Sequence, residues 1–372
     1  MAGELVLLRL LWASSRHERY ATIGENHRRF ELFRVECLRP RSMKIFITGG
    51  SGFIGTNATE AFSAAGHTIL NYSLHPPLRP EHNQFWMAGD ILDAAATRAA
   101  LQEFQADWVL HLAARAECDE NTTLEEGYRV NIEGSQNVLD SIRVTPSIQR
   151  VVITSSQFVC APGRLPASDT DYFPETIYGE SKVLTEKITR EANLPCCWTI
   201  IRPTNIWGPW HMRYRREFWR VVEKGLYVHP GKQPVIRCYG YVGNVVDQMR
   251  KIFEAPRDLV DRRTIYLGDP PINLFDWTDG FSRALRGRPV RIVPRLLMRL
   301  LAFVGDIPSR LTGKPFLINS SRLRSMTTDY ATPMEETFNL LGPNPYPLAE
   351  GIRETVKWLR DYRGPDASGG GD

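Results

Sequence analysis

The sequence predicts an α/β fold, a doubly wound parallel sheet followed by a smaller C-terminal α/β region. Three observations predict it. Apolar, β-branched runs alternate with helix-period segments from residue 44 to about residue 204. The first run, Lys44–Thr48, passes directly into a turn with glycines at 49, 52 and 55. At 372 residues the chain can also bury a large core, in one big domain or two.

Composition narrows the class. With 42% apolar and 24% charged residues this is an ordinary globular chain, and its formal charge of +4 is mild. Most of that excess sits in residues 1–42, where eight Arg face five Glu. The remainder is nearly neutral, so nucleic acid is not an expected partner. The six cysteines form no CxxC pair and no zinc-like spacing with His, so no metal site is expected and the thiols read as reduced and cytoplasmic. Residues 1–42 read as a poorly ordered leader. Their apolar stretch Glu4–Trp12 is interrupted by Arg9 and is too short to span a membrane. Met43 stands directly before the first strand.

The glycine spacing is the one a dinucleotide requires. Gly49 allows a tight turn, Gly52 lets backbone approach a pyrophosphate, and Gly55 lets helix pack closely on strand. The amides that open the helix, at Phe53 and Ile54, and the positive end of its dipole would hold the phosphates. A helix is expected over Asn57–Ala65 with Gly66 as its C-cap. The second strand, His67–Tyr72, is where such units offer Asp or Glu to the adenosine ribose. Asn71 stands there instead, with Ser73 two residues on and Arg79 the nearest cation beyond, so the choice of dinucleotide stays open. His75–Pro80 reads as loop.

A short third strand, Gln84–Ala88, leads to Gly89-Asp90-Ile91. Asp90 could accept from an adenine amino group or cap the helix expected over Leu92–Phe104. The fourth strand, Asp107–Ala113, carries His111 as a core histidine. It runs through Leu112 into Ala113 and Ala114, and the small residues at that strand end leave room for the ribose and nicotinamide. A long helix is expected over Glu125–Ser141. Asn131 on its apolar face must be hydrogen-bonded, either as a simple buried amide or as a relay near the active site. The fifth strand, Arg150–Thr154, delivers Ser155 and Ser156 at its carboxyl end, where ligands of open α/β sheets collect.

Tyr178 and Lys182 share a helix face at i and i+4. The ammonium is expected to favour the phenolate and lower the Tyr178 pKa, making it a usable general acid or base, while Lys182 also holds a ribose hydroxyl. With Ser156 they form a catalytic triad. The sixth strand is Cys197–Arg202.

Together these pieces resemble the extended short-chain dehydrogenase/reductase superfamily, in particular its NAD-dependent epimerase/dehydratase family acting on nucleotide sugars. The matching segments are Thr48–Gly55, Gly89-Asp90, His111–Ala114, Val130–Gly134, Thr154–Ser156, Tyr178 with Lys182, and Arg202–Pro209. The resemblance implies a Rossmann cofactor domain over residues 43–204, a mainly substrate-binding region over 205–363 with some segments returning to the first, and a flexible tail over 364–372. Implied cofactor contacts include Ile91 and Pro203 besides those above. The implied cofactor is NAD or NADP, with NAD favoured. Asn205 and Arg237 would bind substrate, Arg237 through a diphosphate, with a surface arginine as the plainer alternative. A homodimer is expected.

The departures bear on the reaction. Gln157 and Phe158 stand where water-eliminating members carry an acidic pair, so 4,6-dehydratase chemistry lacks its acid and base. Cys160-Ala161 and Gly243-Asn244 also depart from the family pattern. Three functions follow in order: a nucleotide-sugar epimerase or 4-keto-reductase/dehydrogenase, a 3β-hydroxysteroid-type dehydrogenase on an apolar alcohol, and a non-catalytic NAD(P)-sensing regulator. The apolar and basic stretch Arg291–Val304 is expected to be a packed amphipathic helix. In the steroid branch it would instead lie on a membrane surface. The helix Tyr346–Tyr362 is expected to close the core.

Overall fold

Seven parallel strands form the central sheet: β1 (Lys44–Thr48), β2 (Thr68–Ser73), β3 (Trp86–Ala88), β4 (Trp108–His111), β5 (Arg150–Thr154), β6 (Cys197–Pro203) and β7 (Arg263–Leu267). Their order is β7-β6-β5-β4-β1-β2-β3, so the winding reverses between β1 and β4. That reversal opens a crevice at the carboxyl ends of the strands. This computed structural model describes residues 42–312 and 319–362. The expected leader, apart from Ser42, and the tail lie outside the described residues.

Alternation along each strand builds a core on both faces of the sheet. Ile45 and Ile47 of β1 pack with Phe62, Trp108 and Phe253 on one side. Phe46 faces the other with Tyr72, Val109, Val138 and Trp198. All seven residues of β6 are buried, as a strand covered on both faces requires. From Ser42 onward the described residues form one compact unit, and β7 brings the chain beyond residue 204 back into the main sheet. The remaining strands are short pairs: Asn205–Trp207 with Tyr239–Tyr241, Ile236–Arg237 with Ile272–Asn273, and Val228–Pro230 with Arg291–Val293. Among the described residues no helix is long and apolar enough to cross a membrane.

Several boundaries move, each for a local reason. Helix α1 (Phe53–Ala64) starts four residues before the expected position, because Gly52 already serves as its N-cap. Pro80 opens a 3₁₀ segment, Pro80–Phe85, that shortens β3. Helix α2 (Ala94–Phe104) is capped by Asp93, whose carboxylate accepts from the Ala96 amide, and not by Asp90. The expected long helix over Glu125–Ser141 is interrupted. A short turn at Leu124–Gly127 and a π turn at Val130–Gly134 precede α3 (Ser135–Arg143). Wide turns of this kind are often found at functional positions, and this one contains Asn131.

Helices α4 (Ile177–Glu191), α5 (Val242–Glu254) and α6 (Leu274–Arg286) cover the sheet and the C-terminal region. Helices α7 (Arg295–Thr312) and α8 (Ser320–Thr327) follow, and α9 (Leu348–Asp361) closes the core through Gly351, Ile352, Thr355 and Val356. The stretch Arg291–Val304 departs from its expected packing. Arg291–Val293 is a strand, and α7 buries only Met298, Ala302 and Gly305 among its residues up to Ile307, while most of its large apolar side chains face outward.

Candidate active site

The glycine turn lies at the sheet's reversal point. Gly49 has φ +71°, and an added Cβ would lie 2.7 Å from the Ala113 amide nitrogen, so only glycine lets this turn approach the loop after β4. At Gly55 an added Cβ would lie 2.3 Å from the Gly49 carbonyl oxygen, the close helix–strand approach expected of the third glycine. Gly52 caps α1 without any side-chain hydrogen bond, so the first-turn amides of Phe53 and Ile54 have no side-chain acceptor. This uncapped helix N-terminus at the crevice fits an anionic group such as a dinucleotide pyrophosphate. Thr48 ties the two walls together. Its Oγ1 accepts from the Ala113 amide at 3.2 Å and pairs with His111 Nδ1 at 2.7 Å. Leu112 and Ala113 thus lie against the glycine turn, with Ala114 following in the chain.

Asn71 is not at the strand end. Strand β2 runs on to Ser73, and the Asn71 amide is fully buried, donating to Ser51 Oγ at 3.0 Å and accepting from Ser73 Oγ at 2.6 Å. It braces the underside of the glycine turn, and Ser73 is the last residue of the strand. Ile91 also differs from expectation: it is buried against Gly134, so its side chain belongs to the core. Asp90 is half-buried and accepts from the Leu92 amide at 2.9 Å.

The triad comes together at the end of β5. Ser156 follows the strand with an extended backbone, its Oγ accepts from the Phe158 amide at 3.2 Å, and it lies close enough to Tyr178 to act on the phenol. Thr176 caps α4 by accepting from the Gly179 amide, which fixes Tyr178 in the first turn and Lys182 one turn later. The expected lowering of the Tyr178 pKa is not what this environment produces. Burial pushes the phenol above its ordinary range, and the neighbouring Ser156 hydroxyl opposes that only in part. Lys182 is itself buried and held down to about 8, with Glu186 acting to raise it. Its Nζ donates to the Thr154 carbonyl at 2.9 Å. His111, bonded to Thr48 and at 2.9 Å to Ser135 Oγ, is the satisfied core histidine expected; burial and then the Lys182 charge hold it down to about 3.

The contacts of Asn131 make it a positioning residue. Its amide donates to Ser181 Oγ at 2.9 Å and to the Arg115 carbonyl at 3.0 Å, and accepts from the Arg115 amide at 2.8 Å. Its own carbonyl accepts from Thr185 Oγ1 at 2.9 Å. It therefore joins the loop after β4 to the helix carrying Tyr178 and Lys182, and its side-chain atoms touch neither reacting group. Sequence reasoning missed Glu186, one turn beyond Lys182, which meets Arg202 of β6 in a buried ion pair. The i+4 repeat Tyr178, Lys182, Glu186 was the available signal.

On the C-terminal side Arg237 is buried, not a surface arginine. One guanidinium nitrogen donates to the Ser325 carbonyl, while its Nε has no partner among the described residues. Its charge reaches Tyr214, Tyr239 and Tyr330. Tyr330 in turn donates to the Gln157 and Cys160 carbonyls and packs edge-on against Phe158, which packs against Tyr178. Pro203 ends β6, and the half-buried Asn205 begins the short strand paired with Tyr239. The structure thus gathers the triad, the glycine turn and the Leu112–Ala114 loop, with Arg237 linked to them through Tyr330 and Phe158.

The chain is similar to known proteins over this same framework. Residues 45–268 match the NAD dependent epimerase/dehydratase family. A 3 beta-hydroxysteroid dehydrogenase/Delta 5-->4-isomerase of Mycobacterium tuberculosis is 29% identical over 254 residues, covering 63% of this chain and 67% of that protein. An N-acetyl-alpha-D-glucosaminyl-diphospho-ditrans,octacis-undecaprenol 4-epimerase of Escherichia coli O157:H7 is 27% identical over 326 residues, 84% of this chain and 94% of the other. The solved UDP-glucuronic acid 4-epimerase of Bacillus cereus, in complex with UDP-glucuronic acid and NAD, shares the fold at TM-score 0.64 and 17% identity, over 86% of this chain and 99% of its own. With its family match spanning the glycine turn, the triad and the whole central sheet, this chain belongs to the NAD-dependent epimerase/dehydratase family and is an enzyme.

Proposed function

We propose that this enzyme catalyses hydride transfer at a secondary alcohol carbon of a sugar carried on a diphosphate, as an epimerase or a 4-keto-reductase/dehydrogenase. The observation that carries the reading is the burial of Tyr178 beside Ser156, one helical turn before the buried Lys182, at the carboxyl edge of the sheet. NAD(P), when bound, supplies the hydride acceptor or donor. Tyr178 Oη takes the proton of the substrate hydroxyl, or returns it to the carbonyl oxygen. Ser156 Oγ bonds the same oxygen and keeps it in line with Tyr178. Burial makes the Tyr178 phenol a reluctant acid, so proton transfer is coupled to charge developing on the bound oxygen and water is kept from the exchange. Lys182 supplies the local positive charge and orients a ribose hydroxyl.

Arg237 supports a diphosphate-linked substrate. A buried guanidinium with an unpartnered Nε is suited to an oxyanion. NAD is favoured over NADP because Arg79, the nearest cation beyond β2, is already paired with Glu60 at 2.6 Å and with Glu81. Gln157 and Phe158 leave no acid–base pair for eliminating water.

Turnover of Tyr178→Phe, measured on a panel of UDP-, GDP- and dTDP-sugars, should fall by roughly 10²–10⁴-fold while cofactor stays bound; undiminished turnover would overturn the mechanism. NAD retained without net consumption indicates epimerisation, and stoichiometric use of NADPH indicates a reductase. An apolar alcohol such as a sterol is the second reading, favoured by Tyr128 and Phe158, whose rings lie 6.1 and 5.8 Å from that of Tyr178. Turnover of hydroxysteroids but of no sugar in the same panel would select it. The intact triad argues against a non-catalytic sensor.

A further inference from the structure

The outward apolar face of α7 has no counterpart in the reaction. Leu296, Leu297, Leu300, Phe303, Val304 and Ile307 are all exposed, Leu296 and Phe303 to 71% and 70%. At 100° per residue these six fall within an arc of roughly 120°. Met298, Ala302 and Gly305 occupy the opposite side and are buried. The helix is thus amphipathic in the reverse sense: its small and flexible residues pack, and its bulky ones face solvent. Soluble chains rarely leave a continuous apolar strip of this kind without a partner.

The charge of the surrounding sequence points to the partner. Residues 288–327 contain eight Lys and Arg and a single acid, Asp306, whereas the rest of the chain from residue 43 is net acidic. Arg291 and Arg299 are exposed, and no acid lies in the first turn of α7. Asp306 accepts from the amide and hydroxyl of Ser320. An apolar arc with a cationic border matches the surface of an anionic bilayer, where the apolar side chains enter the acyl boundary and the arginines meet headgroup phosphates. Arg295, Arg299 and Asp306 also keep α7 from crossing.

We propose that α7 seats this enzyme on an anionic membrane surface. The adjoining α8 carries Ser325, whose carbonyl accepts from Arg237, so α7 lies one helix away from that buried arginine. The proposal stands on α7 itself and is independent of the substrate assigned above.

The test is co-sedimentation of the full-length protein with vesicles of phosphatidylcholine alone or with about 30 mol % phosphatidylglycerol. Wild type should sediment with the anionic vesicles, less with neutral ones, and less again in about 0.5 M NaCl. The exposed triple variant Leu300→Ser/Phe303→Ser/Ile307→Ser should lose about tenfold or more in partitioning with an unchanged thermal melt. Arg291→Gln and Arg299→Gln, which leave the apolar arc intact, should each weaken binding roughly fivefold. Failure of wild type to sediment, or variants that bind as wild type does, would overturn the proposal. So would self-association in solution that the triple variant abolishes without any vesicle binding, because α7 would then be an interface between copies.

Discussion

Glu186 and Arg202 form a bidentate ion pair with both side chains fully buried, Oε1 at 2.8 Å from Nε and Oε2 at 2.9 Å from Nη2. The pair fastens α4 to β6 directly below Lys182. It also collects Ser155 Oγ on Oε1 at 2.6 Å and the Tyr172 hydroxyl on Oε2 at 3.0 Å. Removing one charge from such a pair leaves the other uncompensated. Glu186→Gln should therefore destabilise the fold by about 3–5 kcal/mol, measured by urea unfolding. A Glu186→Leu/Arg202→Met double variant should recover most of that loss, since it buries no charge.

The same carboxylate should influence the alkaline limit of activity. Lys182 is held down to about 8 by burial, and Glu186 is the neighbour that raises it. Activity should fall as pH rises through about 8 and the ammonium is lost. Glu186→Gln removes the raising influence, so the alkaline limb of kcat/KM should move to lower pH. A limb that stays in place would show that another group controls it.

Gly49→Ala should damage both fold and cofactor binding. The φ of +71° costs an alanine about 1–2 kcal/mol, and its Cβ meets the Ala113 backbone at 2.7 Å. Because backbone cannot yield as a flexible side chain can, the β4 loop must shift, and dinucleotide affinity measured by fluorescence titration should drop at least tenfold.

His111 makes stability depend on pH. Its folded pKa, held down to about 3, lies below the value near 6.5 expected when unfolded. The unfolded chain therefore binds this proton first, so stability is fully present above pH 6.5 and is lost as pH falls toward 3. By pH 5 the contribution lost is about 2 kcal/mol. His111→Asn should be less stable than wild type at neutral pH, with the gap narrowing on acidification; a constant gap across pH 4–7 would contradict the assignment.

How much of the site was legible follows from how far apart its residues are in sequence. The glycine turn and the Tyr178–Lys182 pair are local patterns, fixed by strand–turn–helix geometry and the helical repeat, and they stand where the sequence puts them. Glu186–Arg202 joins two elements 16 residues apart, and Asn131–Arg115 joins a π turn to a strand-end loop. No local period announces either. Asn71 was misplaced by two residues because the end of β2 depends on its pairing with β3, where Ser73 meets Ala88.

The sequence by itself determined the doubly wound sheet, the glycine turn and the placing of Tyr178 and Lys182 on one helix face, because each rests on spacing along one or two elements. Tertiary structure alone decided which way burial moves Tyr178, since desolvation depends on everything packed around the phenol and not on the lysine one turn away. It likewise decided the face that α7 presents. A helical period specifies that apolar residues share a side, but only the burial of Met298 and Ala302 opposite settles that this side looks outward.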